Sequence, residues 1–132
     1  MSYPIYTIEE AGQMLTDRCY GASLRAGWHN DPKTGEARSK EQNKDMFPVR
    51  IALCHSELSE ALEGDRKDQM DDHLPNRKMA EVELADAVIR IFDLAGAMGY
   101  DLGGAIAEKL AYNAKRADHT HAVRNSAGGK AY

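Results

Sequence analysis

Apolar residues in this chain recur at three- and four-residue intervals, and four stretches hold that rhythm long enough to predict amphipathic helices. Thr7 and Glu10 form a capping box that opens the first, which runs to about Ala26 and stops at Gly27. Its candidate core positions are Ile8, Ala11, Leu15, Cys19 and Ala22. The second begins at Phe47-Pro48, where proline suits a first turn, and reaches Leu62 or Glu63 before Gly64. Ile51, Cys54, Leu58, Ala61 and Leu62 form its expected core stripe. The third runs from about Pro75 to Met98, with Val82, Ala85, Val88, Ile89, Phe92 and Ala95-Gly96 facing partners, and Gly99 closes it. Asp101 caps the fourth, from Leu102 or Gly103 to about Asp118.

The segments between these helices differ in kind. Residues 28–46 are polar and interrupted by Asp31-Pro32 and Thr34-Gly35, which reads as a long surface loop, a length usually reserved for functional or disordered segments. Gly64 to Asn76 is a charged connector, and residues 119–132 form a small, polar tail or an arm lying on a partner subunit. The β-branched runs that strands require are missing. The expected fold is therefore all-α: one domain over residues 1–118, built as an antiparallel four-helix bundle that assembles through helix packing into a homo-oligomer.

Charge narrows the partners. A net charge of −4 and no basic stripe argue against nucleic acid or an anionic membrane as ligand. No stretch approaches the roughly 18 apolar residues of a membrane span, and Met1-Ser2-Tyr3-Pro4 does not read as a signal peptide. Cys19 and Cys54 lack zinc-like spacing, so two free thiols in a reducing cytoplasm are expected.

Within the helical runs, Glu57-Leu58-Ser59-Glu60 and Glu83-Leu84-Ala85-Asp86 stand out. Side chains three residues apart lie on nearly one face of a helix, so each motif presents two carboxylates together. Converging acids repel one another unless a cation lies between them. Magnesium, with manganese able to substitute, prefers such oxygen ligands, whereas the absence of Cys or His from both motifs disfavours zinc. On the fourth helix Lys109, Asn113 and Arg116 fall within roughly 60° of one another, a phosphate clamp in which Arg suits bidentate contact. Metal-holding acids with phosphate-holding bases point to nucleoside triphosphate hydrolysis, and no Gly-rich phosphate loop is present to make it a P-loop enzyme. The bland readings are solvated acids and bases on ordinary amphipathic helices, and a Trp28 that packs its loop onto the bundle instead of stacking on a base.

Taken in order, E-x-x-E at Glu57 and Glu60, E-x-x-D at Glu83 and Asp86, and K-x-x-x-N-x-x-R from Lys109 through Asn113 to Arg116 resemble the MazG-like nucleoside triphosphate pyrophosphohydrolases of the all-α NTP pyrophosphatase superfamily. His55 to Gly64 looks like the compact phage and bacterial branch, and the resemblance covers about residues 48–119. It implies magnesium-dependent cleavage between the α and β phosphates, giving a nucleoside monophosphate and pyrophosphate, with dGTP among the substrates of some phage members. It implies a homodimer or homotetramer in the cytoplasm, of the host if phage-encoded. By that resemblance Glu57, Glu60, Glu83 and Asp86 are metal ligands and catalytic residues, with Glu57 assigned to the attacking water. Lys109 and Arg116 would bind phosphates and Asn113 a phosphate or the sugar. Base selection would come from the first helix and the loop around Trp28. The rivals are a dUTP- or dCTP-type pyrophosphatase that also accepts diphosphates, and a helical scaffold whose acids are structural.

Overall fold

In the computed structural model, which describes residues 5–116 and 125–129, every regular element is a helix. They are α1 (Ile8–Arg25), α2 (Lys40–Asp45), α3 (Phe47–Arg66), α4 (Met79–Met98) and α5 (Leu102–Lys115). Residues up to Gln13 and from Asp101 onward form one compact unit, and Met14–Tyr100 form a second. The tail expected over 119–132 lies outside the described residues except at 125–129, which make a turn.

Local signals set most helix ends. Glu10 N donates to Thr7 Oγ1 at 3.1 Å, and Gly27 and Gly99 take the left-handed φ of +82° and +70° that ends α1 and α4. Asp101 Oδ1 accepts from Gly104 N at 3.0 Å, capping α5. Three boundaries differ from expectation, the first being that α5 ends at Lys115, with Arg116 extended, and not near Asp118. Helix α3 continues through Gly64 to Arg66, because that glycine is buried against α4, where an added Cβ would lie 2.8 Å from Met79 Cγ. Helix α4 starts at Met79, not near Pro75, because residues 69–78 close a turn first. In that turn the buried Asp71 carboxylate accepts from His73 N and Leu74 N at 2.9 and 2.8 Å, and Met70 bridges to Lys78.

The polar segment 28–46, expected as a long surface loop, instead contains helix α2, and it is ordered from within. Asn30 and Ala37 make an antiparallel bridge. Ser39 and Gln42 form the reciprocal capping box of α2 (Ser39 N to Gln42 Oε1 at 2.8 Å, Gln42 N to Ser39 Oγ at 3.1 Å). Helix α2 packs on both α3 and α4.

In the second unit α3 and α4 run antiparallel: Gly64 meets Met79 at one end, and Glu57 meets Arg90 further along. The core is Cys54, Ala61, Ala87, Phe92, Leu94 and Ala95, with Gly64 between the helices. Tyr20 of α1 lies directly on Gly96 of α4. In the first unit Gly12 of α1 touches Gly103 of α5, where a Cβ would fall 2.8 Å from the Glu9 carbonyl. Cys54, Ala61, Phe92 and Ala95 are buried as expected, but close approach occurs at small residues and leaves other expected core positions outside the contacts. Ile8 and Leu15 remain 44% and 45% exposed, Leu58 and Leu62 47% and 60%, and Val88 and Ile89 44% and 48%. These large apolar side chains lie beside the helix contacts rather than in them.

Candidate functional site

The two acid motifs sit on facing stretches of α3 and α4, and the antiparallel pairing brings three of their four carboxylates together. Oxygen atoms of Glu57, Glu60 and Glu83 lie within 4.8 Å of one another. Glu57 is buried at 9% exposure, Glu60 is exposed, and Glu83 is half-buried, with its Oε2 shielded from solvent and without a hydrogen-bond partner among the described residues. Asp86, three residues beyond Glu83, lines the adjoining cavity instead.

The cluster is strained electrostatically. Burial, followed by the neighbouring carboxyls of Glu57 and Glu60, pushes Glu83 up to about 8. Burial also raises Glu57, but hydrogen bonds from Glu83 and Arg90 together with the Arg90 charge outweigh it, so Glu57 is held below the usual carboxylate range. The pair therefore shares one proton, resting on Glu83, while Arg90 Nε donates to Glu57 Oε1 at 2.7 Å. A metal cation at this cluster would replace that shared proton with a stronger counter-charge. Oxygens spaced within 4.8 Å suit one ion with metal–oxygen distances of about 2.0–2.6 Å. The orphaned Glu83 Oε2 gives such an ion an unspent ligand.

From Glu57 a cavity of about 680 Å³ extends along α3 and α4 toward the 28–46 segment. Its walls carry Trp28, Arg38, Arg50, Asp86, Arg90 and Asp93, among others. Trp28 stands at the wall 75% exposed, so it does not pack its loop into the core. The buried His29 crosses the space between elements: its Nε2 lies 2.7 Å from Asp93 Oδ1 and its Nδ1 3.1 Å from Arg50 Nη2. Tyr20 meets the same imidazole edge-on, ring centroids 5.0 Å apart.

The expected clamp lies on α5, in the first unit. There Lys109 Nζ sits 4.6 Å and the Arg116 guanidinium 5.9 Å from the centre of the Tyr112 ring, and Asn113 Oδ1 is buried without a hydrogen-bond partner among the described residues. Both cysteines are free thiols, raised by burial, and His55 is exposed.

His29, Arg38 and Arg50 were not singled out from the sequence. For Arg50 a signal existed, since it precedes Glu57 by seven residues and shares its face of α3. His29 and Arg38 sit in a polar segment without periodicity, where nothing in the residue pattern distinguishes them from solvated side chains. Searches of protein-family models, curated proteins and solved structures return no match to this chain.

Proposed function

We propose that this chain is a MazG-like nucleoside triphosphate pyrophosphohydrolase that cleaves the bond between the α and β phosphates of a nucleoside or deoxynucleoside triphosphate. One observation carries the reading: three carboxylate oxygens within 4.8 Å of one another, on two antiparallel helices, at the edge of a cavity walled by arginines and an exposed tryptophan. Glu57, Glu60 and Glu83 would hold a magnesium ion, with Asp86 beside them on the substrate side and manganese an acceptable substitute. When bound, the metal neutralises charge on the phosphate oxygens and makes a bound water more acidic.

The chain's own groups bind and orient. Trp28 offers a face for stacking the base, the cavity cations receive phosphate oxygens, and Glu57 orients the water for attack on the α phosphorus. Hydrolysis forms one phosphorus–oxygen bond to that water and breaks the bridge to the β phosphate, which leaves as pyrophosphate. Lys109, Asn113 and Arg116, on α5 of the first unit, are phosphate-binding residues of the same reading. An antiparallel four-helix bundle belongs to this reading. The exposed Leu58, Leu62, Leu84 and Val88 supply its homodimer or homotetramer contact in the cytoplasm. Among the described residues no helix is long and apolar enough to cross a membrane.

Product analysis across a panel of triphosphates with magnesium tests the reading. Monophosphate plus pyrophosphate is expected, together with loss of turnover in Glu60→Gln and Asp86→Asn. Stepwise release of orthophosphate would sink it, and turnover that survives both substitutions would return the acids to a purely structural role.

A further inference from the structure

We propose that Arg50 and Arg38 form a subsite for the terminal phosphates of the triphosphate, and that His29 is the positioning residue that aims Arg50 into it. The inference rests on the triphosphate reading above and assigns the far end of the same cavity.

Arg50 spends one nitrogen on its surroundings and keeps another in reserve. Nη2 donates to His29 Nδ1 and to Asn43 Oδ1, each at 3.1 Å. Nη1 is buried and has no hydrogen-bond partner among the described residues. A buried guanidinium nitrogen without an acceptor is costly, and its neighbour adds to the cost. Burial first, then the positive charge of Arg38, pull Arg50 below the usual guanidinium range. Arg38 lines the same cavity, tethered through Nη1 to the Trp28 carbonyl at 2.9 Å. Two cations on one wall, one with an unspent buried donor, describe a place for an anion rich in acceptor oxygens.

His29 holds the geometry. A guanidinium only donates, so His29 Nδ1 must accept, which leaves the ring proton on Nε2 to donate to Asp93 Oδ1 at 2.7 Å. Asp93 thus fixes the tautomer, and the imidazole, buried at 5% exposure, fixes the guanidinium. Arg50 precedes Glu57 by seven residues on α3, two turns and roughly 10.5 Å along the axis. The carboxylates mark the end of the cavity where the α–β bond is cut, and the two arginines mark the end that keeps the departing pyrophosphate. A diphosphate fills this subsite poorly, so it favours triphosphates.

Inorganic pyrophosphate binding to the EDTA-treated protein, measured by calorimetry, tests the subsite without requiring turnover. Saturable binding is expected, weakened about tenfold or more in Arg50→Gln and in Arg38→Gln. His29→Leu should weaken it as well, whereas His29→Gln, which still pairs an acceptor with a donor, should recover most of it. Should Arg50→Gln not fold, Arg38→Gln decides alone. No saturation by about 10 mM in the wild type, or losses below about fivefold in every folded arginine variant, overturns the proposal. Nucleotide turnover with arginine-independent pyrophosphate binding defeats the subsite and spares the enzyme reading. Arginine-dependent binding without turnover does the reverse.

Discussion

Arg90 Nε lies 2.7 Å from Glu57 Oε1, and this one contact joins the core of the helix pair to the carboxylate cluster. Glu57 is nearly buried while Arg90 keeps 42% of its side chain in solvent, so the pair is stronger than a surface bridge and weaker than a fully desolvated one. Replacing Arg90 with Met should therefore have two opposed effects. The metal-free protein should lose about 1–3 kcal/mol in urea unfolding, because Glu57 is left beside two other acids. Magnesium should bind several-fold more tightly, since the ion no longer competes with a guanidinium. Parallel unfolding and metal titrations check both, and a variant unchanged in each would remove Arg90 from the electrostatics of the cluster.

The shared proton makes stability depend on pH. Glu83 holds its proton far more tightly in the folded chain, to about 8, than the ordinary value of 4.5 that applies when it unfolds. Its contribution is complete below about 4.5 and is lost as pH rises through about 8. In EDTA the wild type should thus weaken steadily across that window, and Glu83→Gln should flatten the decline. Glu57 has the opposite sign, since its lowered value adds stability that disappears only when acid protonates it. Denaturant curves from pH 5 to 9 measure the slope, and a wild type and variant with equal slopes would contradict the shared proton.

Gly96 gives a packing test independent of function. An added methyl there runs into Tyr20 of α1. Alanine gains about 1 kcal/mol of helix propensity, but overpacking costs about 1–3 kcal/mol. Gly96→Ala should therefore lower the melting temperature, and Tyr20→Ala in the same chain should absorb part of the loss. The non-additivity of that double-mutant cycle is the measurement.

Trp28 is 75% exposed, so Trp28→Ala should change stability by less than about 0.5 kcal/mol. If it stacks on the base, KM for a triphosphate should rise about tenfold or more while kcat changes little, the loss of about 1–3 kcal/mol of stacking. Pyrophosphate binding should not change, which separates the base end of the cavity from its phosphate end.

The chain's periodicity and punctuation made the helical class legible, together with both ends of α1, the starts of α3 and α5 and the end of α4; α2 and the remaining helix ends were not legible. Apolar spacing, Thr7 with Glu10, Gly27, Gly99 and Asp101 all act within one or two turns of chain. The same locality made each acid pair legible, because three residues on a helix always bring two side chains toward one face. The buried faces were legible only in part: Cys54, Ala61, Phe92 and Ala95 are buried as their spacing predicts, but other expected core positions are not. Ile8, Leu15, Leu58 and Leu62 have the right spacing for a core, yet the close contacts fall at Gly12, Gly64, Gly96 and Gly103. Spacing ranks residues by hydrophobicity, while helices approach most closely where side chains are smallest.

By itself, then, the sequence determined that this protein is helical, where its long helices lie, and that two of them carry paired acids. Only the tertiary structure decided that Glu57, Glu60 and Glu83 converge while Asp86 turns to the cavity, and that His29 bridges Arg50 to Asp93 across 64 residues of chain. Helical phase is a property of neighbours along the chain. The register between antiparallel helices, and the path of a loop across them, depend on contacts between residues far apart in sequence.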